Sequence, residues 1–472
     1  MEVAVADQLF THLHNEDIMA DFYLDYRGSD YNGGGYDSTI TGATVNLASG
    51  QYAALTASGL ECTAGSTTVT SVHGGFTTDM IGNTINIYNG NDFNYKFYFI
   101  SGVPDANTLQ LDEVAAASNA VSGVGKIGGA WRSHVNIATN GGGGGFDWTG
   151  KRYATTGDIV HIRGNGEQNP VSGQYLTFAW VSLRGGSDEN PLIYRGYNGR
   201  PSFDIIPANL RFHSSARCRF ENIKCFGGEG NWETGIAQVN GAVQFNNCVF
   251  DQYGSRARAF DGTNITNCYV YNSKQSETQT NATTQIIIQG GSYGNIVSNN
   301  VVENCVGTAI GLGSAFAEGN VIHNIIGNGI YQADMGTHTN QVKHNTINGC
   351  TGTGIRHVRQ GRNKAVGNLI TNCSGVAIAE EDGSYQNFEL SKEDMDYNVF
   401  YNNDVNYSGY TGGNNDIILT ADPYNNEASG DLTLNNNVGG GKECRAAVSI
   451  PIAGYGKAKN YRDAGGLQAY DK

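Results

Sequence analysis

Residues 300–330 read NVVENCVGTAIGLGSAFAEGNVIHNIIGNGI. The stretch holds one pattern twice. Asn300-Val301 and Asn320-Val321 each open a short apolar run, and each run closes on an isoleucine, Ile310 or Ile330, inside a G-x-[AG]-I motif. Outward from this core, Asn222-Ile223, Asn247-Cys248 and Asn267-Cys268 precede it, and Asn345-Thr346, Asn368-Leu369 and Asn398-Val399 follow. Successive Asn positions are 25, 20, 33, 20, 25, 23 and 30 residues apart. The isoleucine column continues through Ile355 and Ile378, at intervals of 20, 25 and 23, matching the Asn intervals over the same turns. Two columns in one register mark a coil that repeats.

A single coil cannot bury its own apolar face, whereas stacked coils build a continuous core. Strands stacked at about 4.8 Å pair every backbone N–H with a neighbouring coil. An Asn at the repeated corner tolerates left-handed backbone and can bond along the stack. The expected fold is therefore all-β: a parallel solenoid over 131–420, with one corner marked by the eight Asn and Ile310, Ile330, Ile355 and Ile378 stacked inside.

Other stretches break the pattern. In 3–14, Val5, Leu9 and Leu13 recur at helical spacing, which predicts a short N-terminal capping helix within an N-terminal segment 1–51. Over 52–130, Ile85/Ile87, Phe97/Phe99 and Leu109/Leu111 alternate as half-buried strands do, which predicts a small inserted antiparallel β module, a lobe separate from the coils. The Gly run within Asn140–Gly145 separates it from the coils. Segment 421–472 is expected to close the solenoid or dock on a neighbour.

Composition agrees. Gly numbers 66 and Pro 7, charged residues are 15% and aromatics 10%, which suits tight-turned β structure and excludes disorder. A net charge of −15 argues against nucleic-acid and anionic-membrane partners, since phosphate contacts need Lys and Arg. The N-terminus MEVAVADQLFTHLHNED lacks the basic and apolar regions of a secretory signal, so retention in the cell or release with a virus particle is expected. The nine Cys form no CxxC pair and fit buried thiols; Cys248 and Cys268 follow a ladder Asn by one, Cys305, Cys350 and Cys373 by five.

Several segments resemble the right-handed parallel β-helix proteins of the pectate-lyase-like superfamily. They are Tyr23-Leu24-Asp25 with Gly28-Ser29-Asp30, Gly157 to Ile162 with Asn190 to Tyr197, the Asn ladder, and Asp422-Pro423-Tyr424 with Gly430 to Leu434 and Asp463 to Gln468. The resemblance implies a right-handed helix. That superfamily includes polysaccharide lyases, glycoside hydrolases, adhesins and phage tailspikes, and the fold does not choose between them.

The candidate chemistry follows the isoleucine column. The register stacks Asp334, Arg359 and Asp382 on successive coils, and likewise Gln332, His357 and Glu380, with His338 beyond. Paired carboxylates suit a glycosidase, and a carboxylate beside Arg or His suits proton abstraction next to a uronate carboxyl group. The same residues also read as an alternating-charge ladder on a solvated face. The turn Asp25, Asp30, Asn32, Asp37 offers oxygen ligands of the calcium type but fits an ordinary Asx turn as well. No cofactor is expected. Three functions stay open: a bacteriophage virion structural protein (tailspike-like fibre, appendage or head decoration), homotrimeric, contacting other virion proteins and a surface polysaccharide; a polysaccharide lyase or hydrolase using Asp334, His357, Arg359, Glu380 and Asp382; or an exported bacterial adhesin, which the lack of an export signal disfavours.

Overall fold

A computed structural model describes residues 20–37 (without 26 and 30), 54–89, 97–115, 119–131, 157–163, 176–177, 182–183, 191–197, 202–204, 211–212, 217–226, 242–251, 260–261, 264–272, 286–290, 296–332 (without 314), 340–358, 363–381 and 394–446 (without 410). Structure there is almost wholly β. Three sheets carry it. The first has eleven strands and runs from Gly35–Asp37 and Ala20–Leu24 through Ile159–Arg163 to Lys364–Val366. The second, also eleven-stranded, runs from Leu176–Thr177 to Ile417–Ile418, and the third, seven-stranded, from Phe260–Asp261 to Val405–Ser408. The chain visits them in rotation: Ile296–Ser298 lies in the first, Val301–Val306 in the second, Thr308–Leu312 in the third, and Phe316–Glu318 is back in the first. Each strand pairs in parallel with its counterpart one pass later.

Strand alternation sends one side of every sheet inward. Ile310, Ile330, Ile355 and Ile378 are in direct register and fully buried, as the sequence pattern requires. The inward column of the first sheet changes size along the stack. Tyr194, Phe220 and Phe245 stack face to face, with centroids 4.8 and 5.1 Å apart, and later passes fill the same place with Ala317, Val342 and Ala365.

The eight Asn share one corner but form two columns. Asn222, Asn247 and Asn267 have φ near +54°, and their register continues through Asn299, Gly319, His344, Gly367 and Tyr397, all at positive φ. This is a left-handed corner, which selects Asn and Gly because a Cβ is costly there. Asn300, Asn320, Asn345, Asn368 and Asn398 sit one residue later, fully buried, where earlier passes carry Cys248 and Cys268. Pairing Asn267 with Asn300 therefore counts one residue too many; its true partner is Asn299. The confusion is local: Asn299 and Asn300 are adjacent, and the Asn preference passes from one column to the other there.

The buried column is chained. Asn300 N and Nδ2 donate to Asn320 Oδ1 at 3.0 and 2.9 Å; Asn320 donates likewise to Asn345, Asn345 to Asn368, and Asn368 to Asn398. Asn398 N ends the row on Asp416 Oδ1 at 2.7 Å. These amides satisfy backbone groups that turn away from the sheets, which a buried corner would otherwise orphan.

The inserted module is a closed six-stranded barrel of Leu55–Cys62, Thr68–Ser71, Thr108–Leu111, Phe97–Asp105, Thr84–Asn89 and Asn119–Ile127. It is antiparallel and has its own core, including Leu60, Val69, Ile85 and Leu109. It also shares residues with the N-terminal end of the stack. One strand serves two cores: Tyr98 and Ile100 face into the barrel, whereas Phe97 and Phe99 join Phe22 and Trp131 in the core of the stack. Trp131 stacks on Phe22 at 5.0 Å and donates Nε1–H to Asn32 O at 3.0 Å. Gly34, at φ 93°, leaves room for that indole; a Cβ there would come within 1.9 Å of it. The barrel thus packs on the first strand of the stack. The helix expected at 3–14 lies outside the described residues.

The described part of the closing segment, 421–446, lies on the outer side of the second sheet. Tyr424, Leu432, Leu434 and Cys444 cover Val301, Val321, Leu369 and Val399 there. Glu427 Oε1 accepts from Asn348 Nδ2 at 3.0 Å and Asn372 Nδ2 at 2.7 Å.

Candidate functional site

Charge is distributed unevenly over the sheets. Strands of the first sheet hold six cationic residues (Arg163, Arg195, Arg217, Arg219, Lys343, Lys364) against four acidic ones (Asp21, Asp37, Glu221, Glu318). The second holds one cation against three acids, and so does the third. In a chain of net charge −15, the first sheet is the cationic one.

Its outer face follows from alternation. Val160, Ile162, Tyr194 and Phe220 point inward, so His161, Arg163, Arg195, Arg219 and Glu221 point out. Register then aligns Tyr23, His161, Arg195 and Glu221 in one column. A second holds Asp21, Ile159, Ile193, Arg219, Gln244, Asn264, Ile296, Phe316, Gln341 and Lys364. His161 Nε2 lies 2.8 Å from Asp21 Oδ1, and its ring stacks on Tyr23 at 4.9 Å. Arg195 Nε donates to Glu221 Oε2 at 2.8 Å, Arg219 lies 3.7 Å from Glu221 Oε1, and Arg219 Nε donates to Gln244 Oε1 at 3.1 Å. The side chains of Arg195 and Arg219 remain 40% and 37% exposed, so their guanidinium groups are held in place and still accessible. Such groups bind carboxylates or sulfates with matched geometry.

The cluster expected along the isoleucine column is placed differently. Gln332, His357 and Glu380 are in register, as the spacing requires. They share the inward side with Ile330, Ile355 and Ile378, so they do not form a solvated ladder: Gln332 and His357 are fully buried and Glu380 is half-buried. Gln332 Nε2 reaches across to Lys364 O at 3.4 Å. The outward position beside them holds Tyr331 and Arg356, the guanidinium 5.2 Å from the ring centre. Asp334, Arg359 and Asp382, together with His338, lie outside the described residues. The period was legible, but the inward or outward phase of a polar residue was not, because a run such as Ile355-Arg356-His357 places Arg on one side and His on the other.

The acidic turn is occupied by cations of the chain itself. Asp25 is buried, accepts from Arg27 N and Nε at 3.0 and 2.9 Å, and lies 3.7 Å from Arg163 Nε. Asn32 donates to Ala130 O, and Asp30 lies outside the described residues. Among the described residues no group of three His, Cys, Asp or Glu is arranged to hold a metal. Cys248, Cys268, Cys305, Cys350 and Cys373 are buried free thiols. Burial pushes Cys218 up to about 12 and Cys268 well above the usual thiol range, which suits packing rather than reactivity.

The first-sheet face has a sequence signal in Ile159–Arg163, Leu192–Tyr197 and Arg217–Glu221, where apolar and cationic residues alternate, but it spans three strands only and is weaker than the Asn columns. A second left-handed column, Asn272, Asn304, Asn324, Gly349, Asn372 and Asn402, lies at another corner.

No family model and no curated protein matches the chain. Solved structures do align. A PL6 family polysaccharide lyase from Pseudopedobacter saltans has 14% identity and TM-score 0.30, over 65% of this chain and 96% of that one. The Agl-KA catalytic domain has 13% and 0.28, over 78% and 68%. The tailspike protein gp49 from Pseudomonas phage LKA1 has 11% and 0.19, over 78% and 67%. At these scores the alignments carry no argument about function.

Proposed function

We propose that the three-sheet stack is a right-handed parallel β-helix that binds an anionic surface polysaccharide along the outer face of its first sheet, as a homotrimeric part of a bacteriophage particle. The observation that carries the binding face is the concentration of cations on that sheet, with Arg195 and Arg219 held by Glu221 and Gln244. Outward side chains one pass apart offer a linear polymer contacts at regular steps, polar at Arg219, Gln244 and Asn264 and again at Gln341 and Lys364. Support for association comes from the far end, where the last strand of the second sheet, Ile417–Ile418, is short and Ile418 is 67% exposed. Binding is tested by titrating the protein with alginate and with a neutral glucan: retention of the first and not the second is expected, with Arg195→Ala plus Arg219→Ala weakening it at least tenfold. Equal affinity for both glycans rejects the reading. Sedimentation of purified protein tests the trimer, and a persistent monomer rejects it.

A second reading, polysaccharide lyase, is favoured by the His161–Asp21 pair. Asp21 would hold one imidazole nitrogen protonated and leave the other to take a proton beside a uronate carboxyl group. Arg195, the next in the column, would neutralise that carboxyl group. As the C5 proton leaves, the C4–O glycosidic bond breaks, its oxygen departs with a proton from solvent as a new chain end, and a C4–C5 double bond forms in conjugation with the carboxyl group and absorbs ultraviolet light. Its appearance in alginate digests, lost in His161→Ala, would establish this reading, and its absence leaves binding alone.

A further inference from the structure

On the outer face of the first sheet, the column that holds Arg219 is apolar at two pairs of adjacent passes, Ile159 with Ile193 and Ile296 with Phe316, and the second pair is the more exposed. Ile296 and Phe316 are in register and 44% and 36% exposed. Their column continues to Asn264 on one side and to Gln341 and Lys364 on the other, with Lys343 alongside. Asn264 Oδ1 accepts from Ile296 N at 2.8 Å, which fixes the entry to the pair. Four passes separate Phe316 from Arg219, so the two lie about 19 Å apart at the usual strand spacing.

We infer that Ile296 and Phe316 form a platform for the face of a sugar ring, a second contact for the glycan bound at Arg195 and Arg219. This rests on the proposed binding face. The occupant follows from what surrounds the pair. An aromatic ring suits the C–H face of a pyranose, Asn264 and Gln341 on either side supply donors and acceptors for ring hydroxyls, and cations stand at both ends of the strip. Glu318, exposed beside Phe316, is countered by Lys343, its partner in register. A chain long enough to reach from Arg219 to Phe316 touches charge, platform and charge again; a short one reaches only one station. Length dependence is therefore the signature of the platform.

The experiment measures affinity for polymeric alginate and for its disaccharide by calorimetry, in the full chain and in Phe316→Ala, Phe316→Trp and Arg219→Ala. Phe316 is partly exposed, so its replacement should leave folding intact, and a thermal melt checks this. Phe316→Ala should weaken polymer binding about tenfold and leave the disaccharide unchanged, and Phe316→Trp should restore the polymer. If Arg219→Ala weakens the polymer and Phe316→Ala does not, the platform is wrong and the cationic face stands. If neither variant matters, or the full chain binds no alginate, both are wrong.

Discussion

At the scale of single residues, the two Asn columns should respond differently to the same substitution. Asn267 occupies a left-handed corner that Gly also fills, at Gly319 and Gly367, so Asn267→Gly should change stability by no more than about 1 kcal/mol. Asn345 accepts two bonds from Asn320 and donates to Ala317 O and Asn368 Oδ1. Asn345→Gly strands buried groups at both ends and should cost about 3 kcal/mol or more. Urea denaturation of the pair tests the assignment, and equal losses would contradict it. His344 offers a third case. It holds the same corner at φ 57°, and burial, the main cause, lowers its pKa. The unfolded chain then binds the proton more tightly, so stability should fall as pH drops from 6.5 to the lowered folded value and level off below it. His344→Gly should relieve backbone strain and remove that slope, which melting temperatures between neutral and mildly acidic pH would reveal. Sequence showed that a corner existed. It could not show that neighbouring Asn residues serve different physical needs, because both needs select the same side chain.

At the scale of elements, the barrel shows how alternation can be read correctly and still mislead. Phe97 and Phe99 were legible as one face of a strand, and Tyr98 and Ile100 as the other, but not that each face belongs to a different core. Phe99→Ala should therefore weaken the first passes of the stack as well as the barrel, at a cost of about 3–5 kcal/mol. Hydrogen exchange would show faster exchange over Ala20–Leu24 and Ile159–Arg163; protection unchanged there would mean that the barrel is energetically independent. By the same reasoning, excising 52–130 removes Phe97 and Phe99 from the core they share with Phe22 and should destabilise the first passes of the stack. The closing segment 421–446 has its own anchor in Glu427, whose carboxylate gathers amides from two successive passes.

At the scale of the molecule, the repeat was the legible part, because a three-sheet stack imposes one register on every column. The cationic face was less legible, since it arises from charges far apart in sequence and set against a net charge of −15. If that face binds a polyanion, affinity should fall steadily as sodium chloride rises past the concentration at which screening shortens to about 10 Å, roughly 0.1 M. Affinity insensitive to salt would point to hydroxyl recognition instead. The buried row from Asn300 to Asn398 has a further consequence. Every Asn-to-Asn bond in it is donated toward the C-terminal end, so these bonds run one way and each polarises the next, while the second hydrogen of each side-chain amide bonds back to a carbonyl such as Ile265 O, Val297 O or Ala317 O. This chain of bonds therefore has an electrical sense along the stack, positive toward the last pass. Asp416 stands at that pole, its carboxylate also accepting from Gly413 N and Tyr407 Oη. Burial holds its carboxyl above the ordinary range even so. An anion there does for a row of side chains what an acidic residue does at the start of a helix, which gives the stack a chemically defined last rung.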